Sequence, residues 1–158
     1  MVSSPFLYHK DYIMSPKWMQ RFMDMAVHVS EWSKDPSRKI GAVIVDPNTR
    51  QILSLGYNGF PQGVADDARL DDKAAKRKLV VHAEMNAIYN AAKNGVNIEG
   101  AWMFVSGLPS CHDCAKGIKQ TGIARVVNVY PQPGSHWHES HQDAIEIIGE
   151  ENITYMED

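Results

Sequence analysis

Three residues of this 158-residue chain have the types and spacing of a zinc site, and a fourth has the type that works beside one. His82 opens the stretch HAEMNAI (82–88) with Glu84 two residues on, and PSCHDC (109–114) holds Cys111 and Cys114, the only two cysteines. Zinc accepts imidazole nitrogen and thiolate sulfur. A structural site closes on four protein ligands, whereas a catalytic site uses three and leaves a position for water. With no third cysteine in the chain, His82, Cys111 and Cys114 supply the open count. The other histidines are His9, His28, His112, His136, His138 and His141; His112 lies inside the cysteine pair, where its side chain should point away from a shared ion. Each motif alone is weak, since an HxE occurs by chance and a CxxC also serves as a redox pair. Together they point to a metal that does chemistry.

Both stretches read as helix starts. There the positive end of the helix dipole and the unpaired N–H groups favour thiolate. Residues two apart do not share a helix face, so Glu84 is not expected to bind the ion that His82 binds. It is expected to reach the metal's water, taking its proton as general base and returning it to a leaving nitrogen as general acid.

The elements that must position these groups follow from periodicity. SPKWMQRFMDMAVHVSEWS (15–33) opens with an N-cap serine and a first-position proline. Trp18, Phe22, Met25, Ala26, Val29 and Trp32 then recur at three- and four-residue spacing, which predicts one apolar stripe on a helix. IGAVIVD (40–46) and QILSLGYN (51–58) read as strands joined by the turn residues PNTR. Residues 60–78 are the most polar, loop-like stretch. A helix is expected over Val80–Lys93, a strand over 101–107, a helix from CHDC to Gly122, and a strand in IARVVNVY. A last helix is expected from about His138 to Ile148, and a weak edge strand in NITYM (152–156). Alternation of this kind predicts an α/β fold with a partly parallel sheet covered by helices on both faces.

The composition, 44% hydrophobic and 22% charged, suits one domain over residues 1–158. A formal charge of −3 argues against a surface built for long nucleic acid. No apolar run approaches a membrane span. A lone CxxC gives no disulfide framework, which favours a reducing, cytoplasmic setting.

Taken together, HAEMNAI and CHDCAKGIKQTGI resemble the H-x-E…P-C-x-x-C signature of the zinc nucleoside and nucleotide deaminases. Adding SKDPSRKIGAVIVD and GYNGFPQG, the chain looks most like the deoxycytidylate (dCMP) deaminase branch, over roughly Trp18 to Tyr130. The resemblance implies a cytidine deaminase-like, three-layer α/β/α fold with a central mixed five-stranded sheet. It implies one zinc ion on His82, Cys111 and Cys114, Glu84 as proton shuttle, and hydrolysis of dCMP to dUMP and ammonia. Asn58 is implied as a contact to sugar or base, and Ala83 and Ser110 as further substrate contacts. Arg38 or Lys39 is a candidate for the substrate phosphate, although two cations before a strand also fit a solvated turn. Relatives are commonly oligomers, often hexamers, so a homo-oligomer is implied. The chain departs from the pattern at Ser110, where relatives usually carry proline, and in the tail PQPGSHWHESHQD. Three histidines in HWHESH raise a second metal as an alternative to an exposed helix start. A deaminase of another base or nucleoside, and a non-catalytic zinc module, stay open as rival functions.

Overall fold

The computed structural model describes residues 14–157; His9 lies outside them. The element order is α1 (Pro16–Ser30), β1 (Gly41–Val45), β2 (Ile52–Tyr57), α2 (Lys73–Leu79), α3 (Ala83–Lys93), β3 (Trp102–Val105), α4 (His112–Gln120), β4 (Arg125–Val129), α5 (His138–Ile148) and β5 (Ile153–Met156). The strands form one sheet in the order β2-β1-β3-β4-β5. β1 pairs antiparallel with both β2 and β3, while β3, β4 and β5 run parallel. The sheet is therefore mixed and five-stranded, as the family resemblance implied.

Side chains alternate across a strand, and the two apolar clusters follow that alternation. Val43, Val45, Phe104 and Val127 face α1, which contributes Phe22, Met23, Ala26 and Val29. Ala42, Ile44, Met103, Val105 and Val126 face the other way, onto Ala87, Ile88, Ala91, Cys114, Ala115, Ile118 and Ala144 of α3, α4 and α5. This is a three-layer α/β/α arrangement. Ser15 caps α1 as expected, its hydroxyl accepting from the Trp18 amide at 3.4 Å. The buried stripe differs from the expected one. Met23 is fully buried, whereas Met25 and Trp32 are exposed. Residues 22, 23, 26, 29 and 30 keep the 3.6-residue period on the sheet side, and Met25 and Trp32 drift off it.

Two further expectations are corrected. The polar stretch 60–78 contains a short 3₁₀ turn (Ala68–Asp71) and α2, which Asp72 caps by accepting from the amides of Ala74 and Ala75. Val80 and Val81 do not belong to α3. Val81 exchanges both backbone hydrogen bonds with Gly59, at 3.1 and 2.8 Å, and this extended bridge delivers the chain to His82.

α3 lies unusually close to the edge strand β2. A Cβ at Gly56 would meet the Ala87 amide nitrogen at 2.4 Å and the Ala83 carbonyl oxygen at 2.7 Å. Asn86 and Asn90, one turn apart, donate to the carbonyls of Tyr57 and Leu55 at 2.7 and 2.9 Å, and the Ser54 hydroxyl donates to Ala87 O at 2.7 Å. Side chains of α3 thus cover part of the β2 edge. Gly56→Ala should accordingly cost about 1–3 kcal/mol, the usual cost of overpacking, and should also lower zinc occupancy by displacing α3. Denaturant titration together with metal analysis checks this; unchanged stability would show that the close approach is dispensable.

Candidate active site

His82 is the N-cap of α3 in extended conformation, and Glu84 lies in the first turn with only 4% of its surface exposed. Cys111 is the N-cap of α4, and its sulfur accepts from the Cys114 amide at 3.5 Å. Cys114 is buried one turn later. Two helix N-termini therefore converge. His82 Nδ1 lies 3.4 Å from Cys111 Sγ and 3.3 Å from Cys114 Sγ. The three donor atoms all lie within 4.8 Å of one another, and this is the one such group among the described residues. A tetrahedral zinc ion, with Zn–N near 2.0–2.1 Å and Zn–S near 2.3 Å, sets N···S separations of about 3.5 Å. The donor set and its spacing fit zinc.

The electrostatics of the cluster agree with that fit. Cys111 is pushed down to about 4, first by its hydrogen bond from Cys114 and then by His82, with burial opposing. His82 is pushed up to about 9, chiefly by the hydrogen bond to Cys111. Cys114 is driven up by its contact with Cys111 and by burial. The three groups share protons that a dipositive cation displaces on binding. Burial raises the Glu84 carboxyl above the ordinary range, while the His82 charge and the hydrogen bond from its own amide pull it back. Glu84 is thus a buried carboxyl beside the donor cluster and outside the ligand group.

Residues 16–130 match the sequence profile of the cytidine and deoxycytidylate deaminase zinc-binding region. The chain belongs to that family. It is 45% identical over 113 residues to an uncharacterised deaminase of Aliivibrio fischeri, covering 72% of this chain and 73% of that protein. It is 40% identical over 117 residues to human deoxycytidylate deaminase, covering 70% of this chain. The match spans 64% of the human protein's length. Among solved structures, the dCMP deaminase of cyanophage S-TIM5 in complex with dCMP and dUMP is similar with a TM-score of 0.74 and 26% identity, covering 92% of this chain and 100% of that one. The cytidine deaminase-like fold and the zinc cofactor of the family are those of this chain.

Around the deaminase cluster, the residues expected at the substrate end separate. Arg38 lines a cavity of about 280 Å³ together with Leu108, Pro109, Gln132, Trp137 and His138. Lys39 is exposed and does not line it. The Asn58 side chain is buried and engaged with backbone: its Oδ1 accepts from Ile40 N at 2.9 Å and its Nδ2 donates to Arg38 O at 2.9 Å. Asn58 therefore holds the segment that carries Arg38. Ala83 is fully buried in the first turn of α3, and Ser110 is fully buried before Cys111. His112 turns to Ser140, with Nδ1 and Oγ 2.8 Å apart. In the tail, His136 and His138 are exposed, whereas His141 is buried and hydrogen-bonded to Ser110 O and the Tyr155 hydroxyl. The three histidines do not gather around one point, and the second metal is not found among the described residues.

Sequence reasoning passed over Asp35 and Lys76. Asp35 accepts from the amides of Ser37 and Arg38 at 2.8 and 3.1 Å and pairs with Lys76 of α2 at 3.0 Å. A carboxylate two or three residues before free amides signals a local turn, but its partner 41 residues away leaves no mark in the sequence. Burial works to raise the Asp35 carboxyl, yet these hydrogen bonds and the Lys76 charge together hold it below its ordinary value. A depressed carboxyl contributes stability that is present above its unfolded pKa, about 3.9, and lost as pH falls through the lower folded value. Asp35→Asn should cost about 1–3 kcal/mol at pH 7, and the gap to the unsubstituted protein should close below about pH 4. Denaturant melts at several pH values read this directly, and a gap independent of pH would assign the loss to packing.

Proposed function

We propose that this chain catalyses zinc-dependent hydrolytic deamination of a deoxycytidine nucleotide, converting dCMP to dUMP and ammonia. The observation that carries the reading is the meeting of His82, Cys111 and Cys114 with the buried carboxyl of Glu84 beside them. A structural zinc site has no use for such a carboxyl, whereas a hydrolase needs it as a proton carrier. Support for the substrate comes from the likeness to human deoxycytidylate deaminase and to the cyanophage enzyme crystallised with dCMP and dUMP.

In this reading His82, Cys111 and Cys114 hold the ion, which when bound supplies the Lewis acidity that brings a water's pKa toward about 7. Glu84 takes that water's proton on its carboxylate and delivers it to ring N3 as C4 is attacked; it then takes the proton of the new C4 hydroxyl and passes it to the departing amine, which leaves as ammonia. Its burial keeps bulk water from competing for the proton and strengthens each hydrogen bond it makes. Ser110 and Ala83, both fully buried, form the wall around this carboxyl. Arg38 holds the substrate phosphate at the cavity beside Pro109, and a guanidinium suits that task because its fork matches phosphate oxygens. Lys39 adds positive charge nearby without a direct contact. Asn58 acts indirectly, by fixing the Arg38 carbonyl. We further assign the protein to the cytoplasm, where two free thiols persist. A homo-oligomer is supported by exposed Trp32 and Tyr57, packed edge to face at 6.1 Å on the surface. No described helix is long and apolar enough to cross a membrane.

Ammonia release over a panel of bases, nucleosides and nucleotides tests the substrate. dCMP should exceed deoxycytidine by roughly 10–150-fold in kcat/KM, the worth of a charge-assisted phosphate contact. Arg38→Ala should remove most of that ratio and leave deoxycytidine turnover in place. Turnover of purines or free bases with dCMP ignored would move the chain to another branch of the family. Independently, Glu84→Gln should retain its zinc and lose about 10²–10⁴-fold in rate; near-normal turnover would remove Glu84 from the reaction.

A further inference from the structure

Ser110 stands where resembling proteins carry a proline, directly before the first cysteine. Proline would fix φ and remove a donor there; serine does neither. The structure compensates with tertiary hydrogen bonds to every polar atom of the residue. The Ser110 amide and hydroxyl both donate to Asn128 Oδ1, at 3.3 and 3.2 Å. Because an amide N–H only donates, Asn128 must present its oxygen here and not its nitrogen. On the other side, the Ser110 carbonyl meets His141 Nδ1 at 3.0 Å, and His141 Nε2 meets the Tyr155 hydroxyl at 2.8 Å. A carbonyl only accepts, so Nδ1 carries a proton and, in the neutral ring, Nε2 is the acceptor for the tyrosine. Tyr155 is itself held by stacking on Tyr130, with centroids 5.5 Å apart and planes at 21°. α5 and β4 thus each send one buried group, His141 and Asn128, to the residue that leads into Cys111, and Tyr155 of β5 holds His141 from behind.

We propose that His141 is a positioning residue that, through the Ser110 carbonyl, fixes the Ser110–Cys111 peptide and with it the Cys111 thiolate. It does not touch the ion. Partners that orient a ligand from one bond away typically govern metal retention and rate by about 10–100-fold, and His141 is the group that hydrogen-bonds this carbonyl. The proposal rests on the zinc cluster alone and holds whichever base is turned over.

Two substitutions separate this role from packing. Asparagine places its amide nitrogen where imidazole has Nδ1, and glutamine places it where imidazole has Nε2. In the zinc-loaded full chain, His141→Gln should speed zinc loss to a chelator about tenfold and lower kcat by a similar factor with KM little changed. His141→Asn should recover both to within about threefold of the unsubstituted protein. Zinc loss is followed by chelator absorbance, so this arm stays readable even if dCMP is not the substrate. Equal losses in the Gln and Asn variants would overturn the positioning role and leave His141 as core packing. If His141→Gln does not fold by circular dichroism, Tyr155→Phe carries the test, since it frees one end of the ring. Zinc loss at least threefold faster with an unchanged metal-free melt supports the clamp, and an unchanged rate refutes it.

Discussion

Everything at this site depends on bringing two helix N-termini to one point. Each N-terminus presents unpaired amides and the positive end of a dipole, and two of them facing each other would repel without negative charge between them. Cys111 supplies that charge as a thiolate with the Cys114 amide on its sulfur. A zinc cluster containing two thiolates answers the same constraint. The electrostatics that favour thiolate and the geometry that gathers the donors therefore have one origin, the placing of His82 and Cys111 at the N-cap positions of α3 and α4.

The two N-termini are anchored by different means. α3 is held against β2 by the missing side chain at Gly56 and by Asn86 and Asn90 on the strand's free carbonyls. The start of α4 follows β3 through Gly107, at φ +90° and tight against Ile40, and then through the fully buried Ser110. The first anchor is local packing; the second draws on β4, α5 and β5, elements that follow it in the chain. The cavity that Arg38 lines has a third anchor, where Asp35, Lys76 and Asn58 hold the backbone around Arg38. Both of the last two anchors work largely through backbone amides and carbonyls.

The layer order and the zinc cluster were legible because periodicity and ligand chemistry are local. Alternation of β-type and helical patterns predicts the covered mixed sheet, and His82, Cys111 and Cys114 declare their role by residue type. The stripe on α1 was misjudged at Met25 and Trp32, since a hydrophobic residue on the rim of a helix face satisfies the spacing without being buried. α2 was missed because Lys73–Leu79 is short and polar, and its cap at Asp72 is the signal that could have found it. Helix was extended too early at Val80 because nothing local reveals that Val81 pairs with Gly59.

By itself the amino-acid sequence determined which atoms can bind a metal and carry a proton, because those properties belong to side chains whatever surrounds them. Tertiary structure decided which polar groups are free to meet a ligand. Asn58, implied as a substrate contact, is seen in the fold to bond the backbone of residues 38 and 40, and His141 reads as part of an exposed histidine cluster until it is seen buried against Ser110 and Tyr155. A hydrogen bond needs its partner within about 3 Å at a suitable angle, and partners 18 to 31 residues distant are brought there only by the folded chain.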